Sequence, residues 1–168
     1  MPFEIVLSDV YWALNFILPT YAANAVPAIF GGGTPLDFGR CFLDGERIFG
    51  AHKTVRGLLS GLMAGTMMAS LEALVLQTSL FSFGVVASFG ALTGDLAGAF
   101  IKRRLKLPPG YALPLLDQLD FVFGGVCFLA PFYTLQDGAV FMILLVTPMI
   151  HVVANVIAYL SKAKAVFW

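Results

Sequence analysis

SLFSFGVVASFGALTGDLAGAFIKRR, residues 79–104, decides the class of fold. From Ser79 to Ile101 its only ionisable side chain is Asp95, and the run ends on the basic triplet Lys102-Arg103-Arg104. A helix needs about 20 apolar residues to cross roughly 30 Å of hydrocarbon, where only helices and closed barrels pair every backbone group internally. Working outward from this run, the same criterion predicts spans at roughly 3–29, 56–77, 80–101, 118–135 and 139–160. The strict alternation over segments of about ten residues that marks a membrane barrel is absent. The expected fold is therefore all-α and integral to the membrane, with five transmembrane helices and a single domain over 1–168.

Composition agrees. The chain is 59% hydrophobic, 14% aromatic and only 12% charged, with a mean hydropathy of +0.87, which excludes an ordinary soluble globule. Cys41 falls in a polar loop and Cys127 in an apolar helix, so no disulfide is expected, and a buried side chain is the simpler reading for them. Glu4 and Asp9 stand where a cleavable signal would carry bases, so none is expected.

The zero net charge conceals an asymmetry along the chain. Arg40, Arg47, Lys53 and Arg56 sit in or beside the first long loop (30–55), Lys102, Arg103, Arg104 and Lys106 open the second (102–117), and Lys162 and Lys164 form the tail. With five crossings all of these bases fall on one side, while Glu4, Asp9 and Asp137 fall on the other with Glu72 near it. The bias of bases towards the cytoplasm then predicts a multi-pass protein of the cell membrane with its amino terminus outside and both loops and the carboxyl terminus in the cytoplasm. Pro19 and Pro27, with Asn15 and Asn24, predict a kinked or broken first span. Small residues at Ser60, Gly61, Ala64 and Gly65, and at Gly90, Ala91, Gly94, Ala97 and Gly98, predict close helix packing.

Three acids and a set of bases meet at that cytoplasmic rim. Asp95 lies seven residues before Lys102 on the same helix face and about 10 Å deeper. A carboxylate at such depth is costly unless paired, hydrated or metal-bound, so it marks a candidate site. Asp117 and Asp120, three apart, project from one face of the fourth span's first turn. One of them serves as a cap; two together point to a hard cation such as Mg2+, which takes a few carboxylates and keeps positions for phosphate oxygens. Asp95, Asp117 and Asp120 are thus the candidate metal ligands.

The first loop, GGGTPLDFGRCFLDGERIFGAHKTVRG (31–57), is glycine-rich but has no Walker A order. Its Arg47, Lys53 and Arg56 combine with Lys102, Arg103 and Arg104 into a basin suited to a polyphosphate. His52 is open between a ligand contact and solvation, and His151, with Thr147, Pro148 and Asn155, reads as an interhelical hydrogen-bonding group. No zinc spacing, Ser-His-Asp set or GxSxG elbow occurs. An anion basin, a cation site and an apolar bundle point to phosphoryl or nucleotidyl transfer to a membrane lipid. A lipid phosphate, already ionised at neutral pH, would need no general base, and catalysis would come from positioning and charge neutralisation.

Four blocks carry a resemblance: PTYAANAVPAIFGGGTPLDFGR (19–40), LDGERIFGAHKTVRG (43–57), TGDLAGAFIKRR (93–104) and PPGYALPLLDQLD (108–120). In this order they resemble the motifs of the archaeal CDP-archaeol synthase family, the CTP:2,3-di-O-geranylgeranylglycerol-1-phosphate cytidylyltransferases. The resemblance implies five transmembrane helices and a cytoplasmic, Mg2+-dependent site. There CTP and an unsaturated archaeal ether-lipid phosphate would give CDP-archaeol and pyrophosphate. It implies that Asp95, Asp117 and Asp120 serve the Mg2+ and the nucleotide phosphates. Lys102, Arg103 and Arg104, with Arg47, Lys53 and Arg56, would serve the triphosphate and the acceptor phosphate. Asn24, Asp37, Asp44, Thr54 and Gly57 fall on motif positions, and of these Asn24 and Thr54 join the candidates for nucleotide binding.

A more distant likeness links Ala99, Ile101, Lys102 and Arg103, and Asp117-Gln118-Leu119-Asp120, to the signature of phosphatidate cytidylyltransferases, without its intervening elements. The alternatives are a CDP-alcohol phosphotransferase, whose pattern fails after Asp44-Gly45, and a small anion transporter, for which no inverted repeat is visible. CTP and a lipid phosphate are the expected partners, and no nucleic-acid polymer is.

Overall fold

The computed structural model describes residues 2–77, 80–108, 111, 113 and 115–160. Its elements are α1 (Pro2–Phe30), α2 (Val55–Leu76), α3 (Phe81–Arg104), α4 (Leu116–Leu129) and α5 (Asp137–Leu160). Among the described residues the only extended pairings are two isolated bridges, Pro35 with Thr54 and Cys41 with Arg47, both between α1 and α2. The turn expected at Thr78-Ser79, Pro109 and Gly110 of the second loop, the tail with Lys162 and Lys164, and the side chains of Glu4 and Asn155 lie outside the described residues.

Helices form here because apolar residues cover every face, and they pack where side chains are smallest. On α2 the buried stripe is Gly57, Gly61, Gly65, Ala69 and Glu72; on α3 it includes Gly84, Ala87, Ala91, Gly94 and Gly98. A Cβ on Gly61 would come 2.5 Å from the Ala23 carbonyl oxygen, closer than real side chains approach. That carbonyl is the one Pro27 leaves without its helical N–H partner. Of the kink or break expected in α1, the break does not occur: the helix runs unbroken through Pro19 and Pro27, with the freed Ala23 carbonyl lodged against α2.

α3 is the hub, packed against α1, α2 and α4. Its buried face joins Phe16 of α1, Phe121, Val122 and Leu129 of α4 and Ile143 of α5 in one core. Trp12 stacks on Phe16 and meets Phe83 edge-on, and Tyr21 meets Phe121 edge-on. The outer face is as apolar as the inner one: Met63, Met67, Leu71 and Leu74 of α2 and Phe89 of α3 are all at least half exposed. Such a surface belongs in lipid. Three stretches, Leu7–Phe30, Val55–Val75 and Phe81–Arg104, are long and apolar enough to cross a membrane, and Asp137–Val153 is a shorter apolar helix.

The fourth helix differs from its expected 118–135. It spans 14 residues and stops at Leu129, because Pro131 has no N–H to continue the ladder and the chain turns there. α3 is longer than expected and carries Lys102, Arg103 and Arg104 in its last turn, where cations suit the helix dipole. Both cysteines are free and exposed, so neither has the buried setting expected of it. His151 sets its ring against Tyr21 and Phe121, and Thr147 donates to the Ile143 carbonyl within its own helix. One end of the bundle gathers the α1–α2 connection, the basic end of α3 and the start of α4. At the opposite end, Gly138 of α5 lies directly against Asp9 of α1.

Candidate functional site

The α1–α2 connection is built around Asp37, whose side chain is fully buried. Its carboxylate accepts from the backbone N–H of Gly39, Phe49 and Gly50 at 3.0, 3.2 and 2.9 Å and pairs with the Arg47 guanidinium. Burial alone would push this carboxyl up, but Arg47 and the three N–H groups outweigh it and hold it well below the usual carboxylate range. Gly39 and Gly50 take φ of 78° and 99°, which only glycine adopts at little cost, and so bring their N–H groups inward. Arg47 is thereby committed to the loop's own scaffold.

Arg104 joins this loop to α3. One terminal nitrogen, Nη2, donates to the Glu46 and Arg47 carbonyls at 3.2 and 2.7 Å. Its Nε lies 3.0 Å from Asp44 Oδ2, an ion pair in which the N–H is not aimed for a hydrogen bond. The guanidinium sits 4.8 and 4.7 Å from the ring centres of Phe42 and Phe100. Arg104, like Arg47, is a structural clamp here.

At the other end of the loop, Thr54 caps α2. Its buried hydroxyl oxygen accepts from the N–H of Gly57 at 3.1 Å and of Gly32 at 3.2 Å, tying the glycine run to the helix start. The neighbouring Lys53 reaches into the bundle and places Nζ 2.6 Å from both oxygens of Asp95. A cavity of about 230 Å3 opens there, with Asn24 and Pro27 of α1, His52, Lys53 and Thr54 of the loop, and Asp95 of α3 in its wall. Arg56 is exposed on the first turn of α2 and is not part of that wall.

Glycines on α3 bring the second acid in. A Cβ on Gly94 would come 2.9 Å from the backbone carbon of Asp120, and one on Gly98 would come 3.0 Å from Asp120 Cβ and Cγ and closer to Oδ2. Gly98 is one turn beyond Asp95 on the same face, so the Asp120 carboxylate lies beside Asp95, near enough for the two to repel. Among the described residues Asp120 forms no ion pair; its Oδ1 accepts from the Phe121 N–H at 2.6 Å. Asp117, one turn earlier, pairs with Lys102 at 2.7 Å and accepts from the Leu113 N–H at 3.0 Å. Arg103 is partly exposed and donates to the Pro108 carbonyl. Lys102 thus meets Asp117 and not Asp95, despite sharing a helix face with the latter.

Of the predicted residues, Asp95, Asp117, Asp120, Lys53, Lys102, Asn24 and Thr54 gather at one end of the bundle. Among the described residues no three His, Cys, Asp or Glu side chains already stand as a metal-binding group, and Lys53 and Lys102 each lie against one of the acids. The donors are nonetheless all oxygen, which suits a hard divalent cation, and Asp120 stands beside Asp95 with no ion pair of its own among the described residues. Sequence reasoning left Asp37 and Asp44 without roles and read Gly98 as packing only. The spacing of Gly94 and Gly98, one turn apart and flanking Asp95, was the available signal. Between α1 and α2 an apolar groove of about 890 Å3 runs from Phe30 and Ser60 near this end towards Leu74.

Comparison with known proteins follows the same residues. The family model described as CarS-like, CDP-archaeol synthase, matches residues 3–168. A CDP-archaeol synthase of Pyrococcus furiosus is 46% identical over 165 residues, covering 95% of this chain and 97% of that protein. One of Methanococcus aeolicus is 42% identical over 178 residues, covering 96% and 100%. A solved structure, described as an intramembrane enzyme for archaeal membrane lipids biosynthesis, superposes with a TM-score of 0.81 at 38% identity, over 86% of this chain and 92% of its own.

Proposed function

Because the chain belongs to the CDP-archaeol synthase family, we propose that it transfers CMP from CTP to the phosphate of an unsaturated archaeal ether lipid, giving CDP-archaeol and pyrophosphate. The observation that carries this reading at the level of chemistry is the meeting of Lys53 and Asp95 in the wall of a cavity, with Asp120 beside Asp95.

In the reaction an oxygen of the lipid phosphate attacks the α-phosphorus of CTP. The new P–O bond forms as the bond to the β-phosphate breaks, and pyrophosphate leaves with that electron pair. The attacking oxygen is already ionised, so no side chain has to take its proton. Lys53, Lys102 and Arg103 draw the triphosphate to the rim and balance its charge, with Arg56 at the entrance. Asp95 and Asp120, with Asp117, are the residues that would hold Mg2+. A bound Mg2+ supplies neutralisation of the phosphate oxygens and orientation of the leaving group. Arg47 and Arg104 act indirectly, by holding the loop that presents Lys53. The groove between α1 and α2 is suited to the lipid chains.

The same reading has the chain as one domain that crosses the cell membrane five times, with the amino terminus outside and the site at the cytoplasmic face. The gathering of bases at one end of the bundle, and of Asp9 and Asp137 away from it, supports this. A 14-residue α4 reaches about 21 Å, short of the roughly 30 Å of hydrocarbon, so this crossing is the shortest of the five proposed.

The test is turnover of labelled CTP with the lipid phosphate, with and without Mg2+, in the wild type and in Asp120→Ala. Pyrophosphate is the expected product; CMP release would indicate a CDP-alcohol phosphotransferase instead. Undiminished turnover in Asp120→Ala would remove the cation site from the mechanism.

A further inference from the structure

Lys53 and Lys102 each lie on an acid that the proposed reaction needs free. Lys53 holds both oxygens of Asp95 at 2.6 Å, and Lys102 holds Asp117 at 2.7 Å. Asp120, between them, has no basic partner among the described residues. Two ammonium groups thus cover two of the three carboxylates in the ligand-free site. From this arrangement we infer that the two lysines are exchangeable counter-ions: they neutralise Asp95 and Asp117 until a nucleoside triphosphate arrives, then turn to its phosphates and release the acids to the divalent cation. The inference rests on the reading of Asp95, Asp117 and Asp120 as cation ligands.

All four side chains are 20% to 32% exposed, so each pair is reachable by water and can open. A divalent cation alone must displace ammonium groups from the carboxylates and leaves them without an anion beside a doubly charged ion. A triphosphate gives them one. Cation and nucleotide therefore favour each other's binding, by the same factor in both directions. Lys53 starts from the loop residue next to the Thr54 cap, so the exchange requires only its flexible side chain to swing while the backbone stays tied to α2.

The experiment uses the full chain in detergent and Mn2+ as a paramagnetic probe in place of Mg2+, since carboxylate sites take either. Bound Mn2+ is counted by electron paramagnetic resonance without nucleotide. Lys53→Met is expected to bind Mn2+ at least about tenfold more tightly than the wild type, because Asp95 is freed and a repelling charge removed. Lys102→Met should shift in the same direction, whereas Lys53→Arg, which keeps the charge, should not. Equal or weaker Mn2+ binding in both methionine variants overturns the inference. A parallel measurement with CTP separates the two readings: loss of bound Mn2+ in Asp95→Asn is expected. If the CTP-loaded wild type holds no Mn2+ at all, the cation-site reading falls and the inference falls with it.

Discussion

Gly98→Ala adds one methyl group where α3 meets α4, and its effect can be worked out from the packing. An ideal Cβ at this position lies 3.0 Å from both Cβ and Cγ of Asp120 and closer to Oδ2. Comfortable carbon contacts need about 3.5 Å, so the carboxylate must retreat by about 0.5–1 Å. Cγ and Oδ2 can swing about χ1, while Cβ, fixed to the backbone, asks α4 to give by only a few tenths of an ångström, so the stability cost is that of mild overpacking, about 1–3 kcal/mol. The functional cost is larger. A misplacement of about 1 Å in a reacting geometry lowers turnover on the order of 100-fold. Gly94→Ala is the contrast: its Cβ would meet the Asp120 backbone, which can yield only if α4 moves, so here stability falls before activity can be assayed. CTP turnover and thermal unfolding should be measured together for both variants. In an Asp120→Ala background the carboxylate is gone, and Gly98→Ala should cost a further factor of less than about threefold. Wild-type turnover in Gly98→Ala, or equal losses in the two backgrounds, would refute the claim that this glycine exists to admit Asp120.

Asp37→Asn should cost about 1–3 kcal/mol by leaving Arg47 and loop N–H groups poorly paired, measured by unfolding. Because the folded carboxyl lies below its ordinary value of about 3.9, its stabilisation is present above that pH and fades as the pH falls beneath it; the Asn variant should show a flatter acid limb. Arg104→Lys keeps the charge but loses the guanidinium contacts over the Phe42 and Phe100 rings and the paired carbonyl contacts, a loss of about 1–2 kcal/mol read as faster proteolysis between residues 38 and 47. Thr54→Val removes the acceptor for Gly57 and Gly32 and should destabilise by about 1–2 kcal/mol, with Thr54→Ser restoring most of it.

Much of the site was legible because its signals are local. A lone acid in an apolar run, two acids three apart, and bases confined to two loops are visible in one dimension. The roles of the arginines were not. Arg47 and Arg104 have the same charge and loop setting as Lys53, and only folding shows that Asp37 claims one and that Asp44 and two phenylalanines claim the other. Pro19 and Pro27 left a kink and a break equally open for a related reason. A proline frees a carbonyl whatever the context, but whether the helix breaks depends on what packs there, and Gly61 packs against Ala23.

By itself the sequence determined that the chain forms apolar helices, that its bases cluster in a few stretches between and after them, and that Asp95, Asp117 and Asp120 are its costly acids. These follow from hydropathy and charge counted along the chain, quantities that need no knowledge of neighbours. The tertiary structure decided which base meets which acid: Lys53 with Asp95 across 42 positions, Lys102 with Asp117, and Asp120 with neither. Those partnerships depend on helix rotation and on how closely two backbones approach, and here that approach is set by the absent side chains of Gly94 and Gly98.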